Sequence, residues 1–115
     1  CDAAFRGDDP DKAHLTSELN HDFHFYVYRA AGSAVLIPIV ESLWLQSGPY
    51  VRAAAQIHDE RRDIPATHFH WALIEALERG DRVKAIAAVR DDITRSFNLI
   101  RQRLDAQDAE QRDAS

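Results

Sequence analysis

The sequence has no methionine, four glycines, four prolines and a single cysteine, Cys1, among its 115 residues. One cysteine excludes an internal disulfide framework and a zinc site built from several thiolates. The shortage of glycine and proline disfavours turn-rich β structure. No apolar run approaches the ~20 residues of a membrane-spanning helix, and no signal peptide is recognisable. We therefore expect a cytoplasmic helical domain without membrane contact, and the missing methionine leads us to expect a piece of a longer protein.

The charge and the motif content narrow the function classes. The net charge is −5 and the pI is about 5.6. This acidic segment alone is therefore not expected to bind the phosphates of nucleic acids. Apolar residues make up 45% of the chain and charged residues 29%, which is ordinary for one globular domain. No nucleophile elbow and no phosphate-binding loop occur, so the sequence does not predict an enzyme.

Helical periodicity runs through most of the chain. Apolar residues recur at three- and four-residue steps in three stretches, namely Leu15, Leu19, Phe23, Tyr26 and Ala30, then Phe69, Leu73, Ala76 and Leu77, and finally Val83, Ile86, Ile93, Phe97, Ile100 and Leu104. Short connections between long helices favour antiparallel neighbours. The sequence therefore predicts an all-α antiparallel helical bundle over residues 11–107, between a polar lead-in at 1–10 and a polar tail at 108–115.

Local signals predict where the helices begin and end. Gly32 and Gly80 are suited to left-handed caps, and Ser33 and Asp81 to the starts of the helices that follow. Pro38 is expected to kink or restart the second helix.

Further breaks are predicted from composition. Ser47-Gly48-Pro49 is expected to break the second helix, residues 56–64 to form a solvated loop, and the chain after Ala106 to fray.

Three motifs resemble those of a known family when taken in order and spacing. They are Phe23-His24 followed by Ala30-Ala31-Gly32, then Leu43-Trp44-Leu45-Gln46-Ser47-Gly48-Pro49-Tyr50-Val51-Arg52, and then His70 followed by Ala76, Gly80-Asp81 and Ala85. The run resembles the FCD domain, the C-terminal effector-binding domain of FadR-subfamily GntR transcriptional regulators. The resemblance covers roughly residues 12–105. The family's first helix and its DNA-binding winged helix-turn-helix are absent from this chain.

The resemblance implies a divalent-metal site on Asn20, His24, His70 and Asp92. Family members carry Asp at the first position and His at the fourth, so this chain departs at both ends of the set but keeps one anionic ligand. Two imidazoles and one carboxylate suit zinc best, or another first-row ion. The alternatives are a metal-free cavity in which these groups hydrogen-bond to one another and to a ligand, and a solvated Asp92.

The resemblance also implies a homodimer that binds a small organic acid and reaches operator DNA through a domain missing from this chain. Arg52 and Ser96 are candidate effector-binding residues, although an arginine at position 52 also fits a surface role. The competing function is a ligand-free helical dimerisation or interaction module, whose interior would be filled by apolar side chains. Periodicity alone does not separate core residues from a dimer interface.

Overall fold

A computed structural model describes residues 3–4, 7, 10–61, 65 and 67–115, with the backbone alone at 13, 51, 52 and 54–61. These residues form four helices and no strand, so the predicted all-α class is confirmed. The helices are α1 (Lys12–Ala30), α2 (Leu36–Arg61), α3 (His68–Glu78) and α4 (Arg82–Ala114). None of these four helices combines the length and the apolar character needed to cross a membrane.

The chain divides into two compact units, Cys1–Gln56 and Ile57–Ser115. The first unit contains α1 and most of α2, and the second contains α3 and α4. The boundaries predicted for the bundle, 11–107, stay a prediction.

The turn between α1 and α2 follows the predicted signals. Gly32 has a φ of 68°, and its N–H donates to the carbonyl of Arg29 at 3.0 Å. The Ser33 hydroxyl then accepts from the N–H of Leu36 at 3.0 Å, which caps α2. Since both signals act within a few residues, the sequence alone located this turn.

The predicted breaks in the second helix are wrong. Helix α2 begins at Leu36, so Pro38 lies in its first turn, where a missing N–H costs little. The helix also continues through Pro49, where proline removes one backbone hydrogen bond without ending the helix. The backbone stays helical to Arg61, which contradicts the predicted loop as far as that residue. Residues 62–64 of that loop lie outside the described part of the chain.

Helices α3 and α4 form a hairpin around a tight turn. Gly80 has a φ of 65°, and the N–H of Asp81 donates to the carbonyl of Ala76 at 2.8 Å. The Asp81 carboxylate accepts from the N–H of Lys84 at 3.0 Å and caps α4, as predicted. Leu73, Ala76 and Ala88 are buried in this unit. The cap and the turn fix where each residue of α4 faces.

We expect Asp81→Ala to lower the free energy of unfolding by about 1 kcal/mol, because α4 then loses the acceptor for its Lys84 N–H. Urea denaturation followed by circular dichroism measures this loss. Asp105→Ala is the matched control, since Asp105 is exposed in the middle of the same helix. An equal loss in both variants would contradict the capping role.

Some apolar residues on the predicted helix faces are exposed. Tyr26 is 82% exposed and Leu77 is 51% exposed, although both fall on predicted apolar faces. The predicted fraying after Ala106 is also wrong, because α4 continues to Ala114. Periodicity identified which residues share a helix face, but not whether a neighbour covers that face.

Candidate metal and effector site

The α3–α4 hairpin brings together two of the predicted ligands, His70 and Asp92. The Nε2 atom of His70 lies 3.3 Å from Oδ2 of Asp92, and the two side chains are only 5% and 14% exposed. His70 is the third residue of α3, and Asp92 is on α4, 22 residues later in the chain. The burial of Asp92 contradicts the alternative of a solvated carboxylate.

The separation of these two atoms limits what can lie between them. The lone pair of a neutral imidazole and a carboxylate oxygen repel each other unless a proton or a cation is shared. Two ligands on one tetrahedral zinc ion, with bonds of about 2.0–2.2 Å, lie about 3.4 Å apart. The observed 3.3 Å between Nε2 and Oδ2 therefore suits two ligands of one ion as well as an Nε2–H group that faces the carboxylate.

His24 lies in the first unit, on the buried side of α1. Its side chain is 3% exposed, and its Nδ1 atom lies 3.1 Å from the Tyr28 hydroxyl. The rings of Phe23 and Trp44 lie 5.6 and 5.5 Å away from its ring. When Nδ1 donates to the hydroxyl, Nε2 keeps its lone pair and can act as a metal ligand.

Tyr28 is the residue that the sequence analysis missed. It lies one helical turn after His24, and the pair shares a face of α1. That spacing was the available signal, because metal-binding histidines usually donate their second ring nitrogen to a nearby polar group.

The remaining predicted site residues, Asn20, Ser96 and Arg52, lie on three different helices. Asn20 is half-buried on α1, one turn before His24, and Ser96 is half-buried on α4, one turn after Asp92. Arg52 belongs to α2, and its side chain lies outside the described part of the chain. The ligand and effector roles of these residues stay predictions.

A surface groove of about 690 Å³ lies between α1 and α2 in the first unit. One wall carries Glu18 and Asp22, which lie 3.2 Å from His14 and 3.4 Å from His21. The opposite wall includes Trp44. Two carboxylates make this groove a poor site for an acidic effector, so the buried histidines are the better candidates.

The comparisons with known proteins give one match. A family model described as the FCD domain matches residues 1–95. The search of the curated proteins and the search of the solved structures each found no match. The matched segment includes Asn20, His24, Arg52, His70 and Asp92, and it ends one residue before Ser96.

Proposed function

Because the chain belongs to the FCD domain family, we propose that it is the ligand-sensing and dimerisation domain of a GntR transcriptional regulator of the FadR subfamily. The observation that carries this proposal is the buried contact between His70 and Asp92. A helical module without a ligand is expected to fill its interior with apolar side chains, whereas here an imidazole and a carboxylate are buried together. The domain is regulatory and not catalytic.

The proposed metal ligands are His24, His70 and Asp92, with the side-chain amide oxygen of Asn20 as a neutral fourth donor. Zinc is the first choice, because imidazole and carboxylate donors both suit it. The contact of His24 with Tyr28 supports this assignment, since Nε2 keeps its lone pair when Nδ1 donates to the hydroxyl. The ion would supply a positive charge and an open coordination position.

The proposed effector is a small carboxylate. A cation held by buried ligands attracts an anion strongly, because little water screens the interaction. Ser96 is the proposed hydrogen-bond donor to the effector, and Arg52 the proposed second positive group.

The proposed signal is a shift between two arrangements of a homodimer. An effector shifts such an equilibrium only by binding one arrangement more tightly than the other. In this proposal a separate DNA-binding domain contacts the DNA, and a dimeric cytoplasmic regulator reads an operator with two half-sites.

We expect the purified chain to bind about one zinc ion per copy, and its melting temperature to rise when zinc is added. A ligand at a hundred times its Kd stabilises the folded state by about 2.7 kcal/mol, which is several degrees for a domain of this size. Metal analysis after dialysis measures the stoichiometry. A thermal-shift screen of small carboxylic acids, run with and without zinc, identifies the effector class.

The screen also separates the two function classes. Stabilisation by one acid that depends on zinc supports the metal-assisted sensor. Stabilisation by an acid without zinc supports a metal-free sensor, in which the same side chains hydrogen-bond to the effector. A chain that binds neither zinc nor any acid contradicts the proposal and leaves the ligand-free dimerisation module.

A further inference from the structure

A positively charged side chain lies close to the contact between His70 and Asp92 within the α3–α4 hairpin. Arg95 follows Asp92 by three residues, so the two side chains share one face of α4. Asp92 lies against His70, and the Arg95 guanidinium lies 6.0 Å from the ring of Phe69, the residue before His70. The two contacts are therefore neighbours across the same pair of helices.

Arg95 differs from the surface arginines of α4. Its side chain is half-buried, and its Nη1 atom is shielded from solvent. The Phe69 ring lies within reach of a cation–π contact with the guanidinium. Because an arginine side chain keeps its positive charge in proteins, α4 carries a fixed and partly desolvated cation one turn from Asp92.

The beginning of α3 adds positive potential at the same place. Phe69 and His70 are the second and third residues of α3 and lie in its first turn. That turn contains no acidic residue, and the side chain of the N-cap residue Thr67 makes no capping hydrogen bond. The positive end of the helix dipole therefore favours an anion close to Arg95.

The other carboxylates of the hairpin helices do not offset this positive charge. Every carboxylate of α3 and α4 except Asp92 is exposed. Glu75 lies 2.9 Å from Arg79, and Asp91 lies 3.7 Å from Arg90, so the nearest of them in sequence already have positive partners. Asp92 is thus the single carboxylate of these two helices that can balance a buried cation.

The charges of the proposed metal site can then be counted. A divalent ion brings two positive charges, Asp92 one negative charge and Arg95 one positive charge, whereas neutral His24 and His70 bring none. The set therefore carries two positive charges. A monocarboxylate would leave one of them uncompensated in a poorly solvated place, and a dicarboxylate would leave neither. An Arg52 that also reached the effector would add positive charge and strengthen this preference.

We propose that the effector is a dicarboxylate, with one carboxylate at the metal site of His70 and Asp92 and the other bound by Arg95. A guanidinium can donate two parallel hydrogen bonds to one carboxylate, which fixes its orientation as well as its position. Neighbouring positions one turn apart on a helix are about 5–6 Å apart, which suits two carboxylates joined by two or three carbon atoms. This inference rests on the proposed function and names the effector class of its site.

The first test compares acids that differ only in the second carboxylate. Succinate and glutarate are the dicarboxylate probes, and butyrate and valerate are the monocarboxylates of the same chain lengths. We expect the wild-type chain with zinc to bind at least one dicarboxylate about tenfold or more tightly than its matched monocarboxylate, because the second carboxylate gains charge-assisted hydrogen bonds. Isothermal titration measures the affinities. Equal affinities within both matched pairs overturn the inference.

The second test removes the charge of Arg95. Arg95→Gln is expected to weaken dicarboxylate binding at least about tenfold and to leave monocarboxylate binding unchanged. Arg101→Gln is the matched control, because Arg101 is exposed on the same helix. Arg95→Lys keeps the charge but loses the paired donors, so we expect it to retain part of the preference. An Arg95→Gln or Arg95→Lys variant with no change in preference for the first, or none left in the second, contradicts the assigned role.

Zinc affinity separates effector binding from a purely structural role of Arg95. Removing a positive charge near a cation site does not weaken the binding of the cation electrostatically, so Arg95→Gln is expected to bind zinc at least as tightly as the wild type. If Arg95 served only to position Asp92, the same variant would bind zinc more weakly. That result overturns the inference.

The same titrations distinguish this inference from the proposed function. A chain that binds monocarboxylates as tightly as dicarboxylates is still an acid sensor, but Arg95 then has no role in choosing the acid. A chain that binds neither zinc nor any acid overturns both the sensor and the effector class.

Discussion

Replacing both His24 and His70 with alanine is expected to abolish the effector response and to weaken zinc binding by more than about a hundredfold, with the helices retained. The two histidines supply both imidazoles of the proposed donor set. The remaining donors, Asp92 and Asn20, offer one carboxylate and a weak neutral oxygen, which are too few for a structural or sensing zinc ion. The caps at Ser33 and Asp81 involve neither imidazole, so we expect the two helices that they begin to be retained.

Isothermal titration with zinc measures the affinity, and circular dichroism measures the helix content of the same sample. The double variant His14→Ala with His68→Ala is the control, because it also removes two imidazoles, and both of these lie on the surface. A His24/His70 double variant that binds zinc as tightly as this control would eliminate the metal site. If it also answered the same acid at unchanged concentration, the sensor site would lie elsewhere.

Phe25→Ala is expected to cost about 3–5 kcal/mol of the free energy of unfolding, which is a large share of the stability of a small domain. Phe25 is fully buried, at 0% exposure. Its ring stacks on His21 at 4.3 Å and meets the rings of Tyr28 and Trp44 at 5.5 Å each. The guanidinium of Arg29 lies 5.5 Å from the same ring. Alanine leaves a cavity that this aromatic cluster cannot fill.

Urea denaturation measures the loss, and Tyr26→Ala is the matched control on the neighbouring position of α1. Tyr26 is 82% exposed, so its truncation is expected to change stability by no more than about 0.5 kcal/mol. Equal losses in the two variants would show that Phe25 is not the centre of the first unit. The aromatic cluster also holds Tyr28, so zinc affinity in Phe25→Ala reports whether that cluster positions His24.

The parts of the fold that sequence predicted correctly are those decided by a few adjacent residues. Gly32 and Gly80 take the left-handed conformation, and Ser33 and Asp81 cap the next helices through their own side chains. Such signals need no information from distant parts of the chain. Pro49 misled the prediction because proline costs a helix interior about 3 kcal/mol, and the rest of a 26-residue helix outweighs that cost.

The candidate site was predicted from the family resemblance more than from spacing. Spacing alone does not join His70 to Asp92, and the resemblance to the FCD domain supplied that pairing, which the structure then brought to 3.3 Å. The contact of His24 with Tyr28 was within reach of helical spacing, but it depends on the rotamers of both side chains. Five apolar residues of α4, Val83, Ile86, Ile93, Phe97 and Leu104, are between 44% and 77% exposed. Periodicity placed them on one helix face, but a periodic apolar stripe looks the same in a core and at an interface between copies.

Because α4 is long, a small tilt near its start produces a large displacement at its far end. Asp92 lies near its first third, and Ala114 lies 22 residues further on, or about 33 Å along the axis. A tilt of roughly 5° about Asp92 would displace the far end by about 3 Å over that distance. A tilt too small to disturb the packing around His70 would thus displace the end of α4 by enough to change its contacts with a neighbouring molecule.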